Sequence, residues 1–190
     1  MNRYFMAGVV ALVGVLGLAG CSDKPEPKVQ VAASAPSAAA PAPTLPPGPY
    51  TATLAEGIDF KKQGYPDFLD EVSGMSRHEP WGRWTDAAAG PVARFRFKQA
   101  LPRKFTLEIT AHAFGPNTGE PVKVRVGGVV KTFVITKNEA DTLRLEFETN
   151  GTADTLEITP PKPTSPKEID PNNGDTRKLG IAFISLKIKE

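Results

Sequence analysis

The residues best suited to bind another molecule are concentrated in one stretch, His78–Asp86. It contains both tryptophans of the chain, together with an arginine, a histidine and two carboxylates. Pro80 and Gly82 interrupt it, so neither a long helix nor a regular strand is expected there. Aromatic faces stack on the C–H surfaces of sugars, and charged neighbours hydrogen-bond sugar hydroxyls. The stretch therefore predicts a glycan-binding surface with five candidate residues: Glu79, Trp81, Arg83, Trp84 and Asp86.

The same stretch also has a purely structural interpretation. Trp81 is as compatible with the rim of a hydrophobic core as with a binding surface. Trp84 fits a core position better, because large aromatic side chains in small domains are mostly buried. In that case Arg83 would form a buried ion pair with Glu79 or Asp86.

Two polar residues beyond the stretch are further candidates for ligand contacts. His112 lies on the polar side of an alternating segment, and Asn117 follows it in a Phe-Gly-Pro-Asn sequence. A site shared by His112 and His78 is conceivable, but two histidines without clustered carboxylates are not a metal-ligand set. We therefore predict surface or hydrogen-bonded histidines, no metal and no cofactor. Asn117 either forms a turn or contacts the ligand.

Sequence signatures of catalysis do not occur in the chain. It has no Gly-x-Ser-x-Gly motif, no Cys–His pair and no phosphate-binding glycine loop. Asp170 and Asp175 do not have the spacing of an EF-hand calcium loop. The 23 basic and 21 acidic residues nearly balance and form no basic stripe, which argues against nucleic acid as a partner. We predict a non-enzymatic protein and keep a glycan hydrolase as the alternative, because carboxylates are plentiful.

The N-terminus has the pattern of an export signal. Arg3 precedes an apolar run, Met6–Leu18, that is too short for a comfortable membrane span. Leu18-Ala19-Gly20-Cys21 then resembles the lipobox of bacterial lipoproteins, in which the cysteine receives the lipid. We predict a lipoprotein signal peptide over residues 1–20 and a palmitate-bearing membrane anchor on Cys21. Ser22, in place of aspartate, predicts the outer membrane, facing the periplasm, in a Gram-negative host.

The rest of the chain divides into a tether and one domain. Residues 21–50 are rich in proline and alanine and lack apolar periodicity. Such a segment buries too little surface to offset its ordering entropy, so a disordered tether is predicted. Residues 51–190 are long enough to build a hydrophobic core.

Apolar residues of the domain recur with a period of two, which is typical of strands. Phe105–Ala113 alternates most clearly, and Gly127-Gly128 predicts a tight hairpin turn. Strands at Ile58 and at Ile181–Ile188 are expected to lie close together. Pro66–Val72 is the only segment expected to form a helical turn, and residues 160–177 form a proline-rich loop. The pattern predicts an all-β, antiparallel β-sandwich with a jelly-roll-like topology.

Four segments taken together resemble a known family. They are Gly57–Phe60 with Pro66–Phe68, then Glu79–Asp86, then Ala113–Asn117 with Pro121–Gly127, and finally Pro163–Pro166 with Leu179–Ala182. This set resembles the C-terminal accessory domain, a domain of unknown function, of bacterial phosphoglycerol transferases that act on periplasmic glucans. The sulfatase-like catalytic domain of those transferases has no counterpart here.

The resemblance implies a β-sandwich similar to carbohydrate-binding modules, without assigned catalysis. It implies a stand-alone envelope lipoprotein that binds glycan, either periplasmic glucan or peptidoglycan. The alternative is a structural or protein-interaction lipoprotein that docks on an envelope glycan-modifying enzyme.

Overall fold

The computed structural model describes residues 48–190, which form two antiparallel sheets packed face to face. The all-β sandwich predicted from the sequence is confirmed. The ten strands are β1 (Ile58–Asp59), β2 (Leu69–Ser73), β3 (Arg83–Asp86), β4 (Ala93–Phe97), β5 (Lys104–Ala113), β6 (Pro121–Val126), β7 (Val129–Val134), β8 (Asp141–Glu148), β9 (Thr155–Thr159) and β10 (Leu179–Lys189). The predicted signal peptide, Cys21 and the tether up to residue 47 lie outside the described residues.

The strand order assigns each strand to one of two sheets. In the front sheet β10 is central: β5 pairs with one of its edges, and β1 and β3 pair with the other, while β8 pairs with β5. The back sheet has the order β2-β4-β9-β6-β7. The first and last strands pair, Ile58 with Leu186, as the sequence predicted.

The alternation seen in the sequence corresponds to the two faces of each sheet. Phe105, Leu107, Ile109, Ala111 and Ala113 of β5 are all buried between the sheets. Val122, Val124 and Val126 of β6 face them from the back sheet and are fully buried. A group of edge-to-face and stacked rings, Phe60, Phe95 and Phe183, fills the core between the sheets. The outward residues of the strands therefore form the two broad surfaces of the domain.

The prediction of a helical turn over Pro66–Val72 was wrong. Leu69–Ser73 is the edge strand β2 of the back sheet, because Leu69 is buried in the core and pairs with Phe97 of β4. The α-helical turn lies instead in the proline-rich loop, at α1 (Pro166–Ile169). The Ser165 side chain accepts the N–H of Glu168 there, and the Glu168 carboxylate accepts the N–H of Ser165.

The helical elements of residues 48–190 are short. Besides α1 there is one 3-10 turn, Gly115–Asn117, and neither reaches the length needed to cross a bilayer. Tyr50, assigned to the tether in the prediction, contacts the domain: its N–H donates to the Tyr65 carbonyl and its hydroxyl accepts the N–H of Asp59.

One edge of β10 carries two short strands placed end to end. β3 pairs with its first half and β1 with its second half, and a register shift between Phe183 and Ser185 separates them. A β-bulge of this kind bends a strand locally and redirects its neighbours. The chain at Gly82 passes so close to the bulge that a Cβ atom would lie 2.2 Å from the Phe183 carbonyl oxygen.

Candidate functional site

A tight turn places Trp81 at the entrance to β3. The N–H of Glu79 donates to the Gly82 carbonyl and the N–H of Gly82 donates to the Glu79 carbonyl, each over 3.0 Å. Pro80 and Trp81 therefore form the tip of the turn, where the fixed φ of proline suits the first central position. The Trp81 side chain is partly exposed at this tip.

Four rings meet on the outer surface of the front sheet, and we call them the aromatic cluster: Trp81, Trp84, His112 and Phe114. Trp84 of β3 and His112 of β5 flank Ala182 of β10 in the same cross-strand row. Because alanine is small, the two rings meet over it, with centroids 5.0 Å apart. Trp81 lies 5.3 Å from Trp84 and 5.5 Å from His112, and Phe114 lies 5.6 Å from Trp84. The arrangement gives an aromatic surface beside the rim of the sheet.

A hydrogen bond to Glu79, which is itself held by the proline-rich loop, fixes the orientation of the Trp81 indole. The indole Nε1 donates to Glu79 Oε2 over 2.9 Å, and Glu79 Oε1 accepts from Arg177 over 2.7 Å. Arg177 also donates to both carboxylate oxygens of Asp175, the shortest contact being 2.7 Å. The pKa of Asp175 is lowered chiefly by Arg177, and the pKa of Arg177 is raised chiefly by Asp175 and also by Glu79. The network holds the N–H edge of the indole, and Trp84 and His112 pack against the ring, which stays partly exposed.

Arg177→Met should therefore loosen Trp81 without unfolding the sandwich. Methionine keeps the aliphatic length but cannot donate to Glu79, so the indole loses its anchor. We expect stronger acrylamide quenching of tryptophan emission and a free energy of unfolding lowered by about 1–3 kcal/mol.

The matched control for Arg177→Met is Arg94→Met on the back sheet. Arg94 also pairs with a carboxylate through two nitrogens, donating to Glu157 over 3.0 and 2.8 Å. This change should leave tryptophan quenching unaltered. Equal quenching in wild type and Arg177→Met would show that the network does not hold the indole.

His112 is half-buried among the aromatic rings, and burial lowers the pKa of its imidazole below the usual value. At neutral pH the ring is therefore uncharged and presents one N–H donor and one acceptor nitrogen. His78 lies apart from the aromatic cluster, because its Nε2 contacts the Lys61 carbonyl oxygen at 2.7 Å. The structure thus provides one neutral histidine at the site rather than a pair.

Arg83 does not share the surface with the tryptophans. It follows the opposite face of β3, pairs with Phe183 and is only 9% exposed. Its guanidinium lies over the Tyr65 ring at 4.7 Å, and within residues 48–190 its Nε has no hydrogen-bond partner. The alternative of a buried ion pair with Glu79 or Asp86 is not what the structure shows, because Glu79 pairs with Arg177.

Asp86 and Asn117 serve the backbone around the site. Asp86 Oδ1 accepts the N–H groups of Ala88 and Lys178, which ties the end of β3 to the start of β10. Asn117 is fully buried; its amide donates to the Phe114 and Lys162 carbonyls and accepts the Lys162 N–H. Both polar atoms of the Asn117 amide are therefore engaged by the backbone.

The described part of the chain offers no set of ligands for a metal ion. Residues 48–190 contain no group of three or more histidine, cysteine, aspartate or glutamate side chains placed to hold an ion. The two loop carboxylates considered for calcium make other contacts. Asp170 Oδ1 accepts the N–H of Asn172, and Asp175 pairs with Arg177.

Three residues of the site were not found from the sequence. Phe114 lies two residues after His112, so the alternation along β5 predicts that both side chains lie on the same outward face. Arg177 and Asp175 belong to a loop that is distant in sequence, and no local pattern connects them with Glu79. Only the folded chain brings this loop to the Glu79–Gly82 turn.

Comparison with known proteins identifies the family. Residues 49–190 match the family described as Domain of unknown function (DUF7024). The chain belongs to this family. The match spans every element described above, so the aromatic cluster and the loop that holds Trp81 both lie within this DUF7024 domain.

The similar curated proteins are phosphoglycerol transferases. The chain is 41% identical over 136 residues to Phosphoglycerol transferase I of Escherichia coli strain SE11 and of Shigella boydii serotype 18. The alignment covers 72% of this chain but only 18% of each relative, so the chain spans less than a fifth of their length. The matching region is C-terminal in the relatives, in agreement with the predicted accessory domain.

Similar solved structures are carbohydrate-binding modules. A mutant of CBM29-2 complexed with mannohexaose has a TM-score of 0.45 and 15% identity, and the superposition covers 70% of this chain and 88% of that one. CBM29_1 from Piromyces equi has a TM-score of 0.38 and 13% identity, covering 66% of this chain and 82% of that module.

Proposed function

We propose that this chain is a non-catalytic glycan-binding protein of the bacterial cell envelope, whose ligand is periplasmic glucan or peptidoglycan. The observation that carries the proposal is the partly exposed, hydrogen-bonded Trp81 in a cluster of four rings. Sugars present apolar C–H faces that pack on rigid aromatic rings, and a fixed ring loses little entropy on binding. His112 and Glu79 place polar atoms beside the ring for hydroxyl groups.

The state of the carboxylates supports a binding role rather than hydrolysis. A glycosidase needs two free carboxyl groups facing each other across the scissile bond. At the aromatic cluster Glu79 is held by Trp81 and Arg177, and Asp175 is held by Arg177. Asp86 accepts two backbone N–H groups.

Titration of the full chain in detergent with purified periplasmic glucan and with soluble peptidoglycan fragments tests the proposal. We expect saturable heat of binding and a shift in tryptophan emission, since Trp81 would be covered by the sugar. A folded protein that binds neither glycan would contradict the proposal. Release of reducing sugar during the titration would identify a hydrolase instead.

A second candidate function is docking on an envelope enzyme that modifies glycans. It is favoured by the length of the relatives, in which the matching region is a small part of a protein named as a transferase. Crosslinked pull-down from envelope extracts distinguishes the two. Capture of a glycan-modifying enzyme that is unaffected by Trp81→Ala supports docking, whereas capture lost on removal of glycan supports the binding proposal.

We also propose that Cys21 carries the lipid that anchors the protein to the outer membrane, on its periplasmic side. The support is the Leu-Ala-Gly-Cys sequence followed by serine. Labelling cells with a palmitate analogue tests this: the wild-type chain should incorporate label and fractionate with outer membranes, and Cys21→Ser should do neither. An equal amount of label in Cys21→Ser would contradict lipidation at this cysteine.

A further inference from the structure

The outer surface of the front sheet has a second feature, a row of short hydroxyl side chains next to the aromatic cluster. Ser185 of β10 pairs with Thr110 of β5, and Thr110 pairs with Thr142 of β8. The two threonine hydroxyls lie 3.0 Å apart, so the row is continuous across these strands. We call Ser185, Thr110 and Thr142 the hydroxyl row.

Longer side chains stand on both sides of the hydroxyl row. Along β5, the next outward residue on one side of Thr110 is His112, which belongs to the aromatic cluster. The next outward residue on the other side is Glu108. Glu108 accepts from Arg144 over 3.0 Å and from Lys189 over 2.9 Å, and Lys187 is its cross-strand neighbour. The two cations cover the Glu108 side chain, which is 11% exposed, and they lower its pKa, chiefly through Lys189.

Strand geometry gives the dimensions of this arrangement. Outward residues of one strand repeat about every 6.7 Å, so roughly 13 Å separate the aromatic row from the Glu108 row. Neighbouring strands are about 4.8 Å apart, so the hydroxyl row runs roughly 10 Å from β10 to β8. These spacings outline a trough across the strands, with hydroxyl groups on its floor. The aromatic cluster on one side is called the aromatic wall, and the Glu108 row on the other side the charged wall.

We propose that this trough receives the chain of the glycan, so that the ligand is an oligosaccharide segment lying across the strands and not a single sugar. The inference rests on the proposed glycan-binding function and deepens it. One sugar stacks on the aromatic wall, and the following sugars lie over Thr110 and Thr142. The floor offers hydroxyl groups, and the charged wall offers carboxylate and ammonium groups. Together they provide both hydrogen-bond donors and acceptors for the hydroxyl groups of neutral sugars.

The test fills the floor of the trough. Thr110→Arg and, separately, Thr142→Arg place a long cation where the sugar chain would lie, on side chains that already reach solvent. Two size series are titrated into the full chain, gluco-oligosaccharides and peptidoglycan glycan-strand fragments, each from the monosaccharide to the hexasaccharide. Wild type should bind the hexasaccharide of its preferred series at least roughly tenfold more tightly than the monosaccharide. Each floor variant should lower hexasaccharide affinity by roughly tenfold or more.

The matched control is Thr132→Arg, an exposed threonine on the outer surface of the back sheet, which should change affinity less than about twofold. If Trp81→Ala weakens binding but both floor variants bind like wild type, the trough is overturned and the proposed function stands. Equal affinity for monosaccharide and hexasaccharide also overturns the trough. If folded wild type binds no member of either series, the proposed function fails with it.

Discussion

Replacing Gly82 by alanine is expected to lower the free energy of unfolding by about 3 kcal/mol or more. The added Cβ would lie 2.2 Å from the Phe183 carbonyl oxygen, and the Gly82 φ of 155° is one that residues with a side chain rarely adopt. Because Phe183 sits beside the bulge of β10, relief of the clash must move the central strand of the front sheet. Urea denaturation followed by circular dichroism measures the change.

Gly128→Ala is the control for this prediction. Gly128 lies in the hairpin turn between β6 and β7, and no atom lies within 4 Å of the position that its Cβ would take. Its free energy of unfolding should stay within about 0.5 kcal/mol of wild type. A Gly82→Ala protein as stable as Gly128→Ala would show that the turn and the bulge are free to separate.

Trp81→Ala is expected to weaken glycan binding by roughly 30-fold or more, which corresponds to about 2 kcal/mol. Alanine leaves no ring for a sugar face at the tip of the turn, while Trp84 keeps its contacts with His112 and Phe114. The free energy of unfolding should change by much less than the free energy of binding, because Trp81 stands at the tip of a turn and is partly exposed. Calorimetric titration with the preferred glycan gives the ratio of dissociation constants.

Phe68→Ala is the comparison for the tryptophan change. Phe68 is also a partly exposed aromatic residue, but it stacks on Phe97 of the back sheet, with centroids 5.9 Å apart. Its removal should leave glycan affinity within about twofold of wild type. If Phe68→Ala and Trp81→Ala weaken binding equally, the loss follows from general destabilisation and the aromatic cluster is not the binding surface.

The fold was accessible from the sequence wherever one face of a strand is buried. β5 alternates over ten residues, so its inward and outward sides, including the outward His112, followed from the pattern alone. The prediction of a helical turn at Pro66–Val72 failed because the local sequence signals were weak. Pairing with β4 decides the conformation of this segment. Tertiary pairing of this kind has no counterpart in the local sequence.

The candidate site was predicted only in part, for the same reason. Alternation within β3 would have put Arg83 and Trp84 on opposite faces, but Pro80 and Gly82 obscured the strand. Trp84 and His112 meet because β10 lies between β3 and β5. The order of strands in the sheet cannot be read from the local sequence. The Glu79–Arg177 pair joins residues 98 positions apart, and composition carries no sign of it.

The central place of β10 has a consequence for the kinetics of folding. β10 follows all nine other strands in the chain, yet β1, β3 and β5 all pair with it. Until residues 179–189 are available, β5 has one open edge, β1 has no strand to pair with, and β3 pairs only with the segment Gly74–Ser76. Contacts between such distant segments make folding slow. We therefore expect the front sheet to close only after the end of the chain is available, whereas the back sheet and the β5–β8 pair can form without β10.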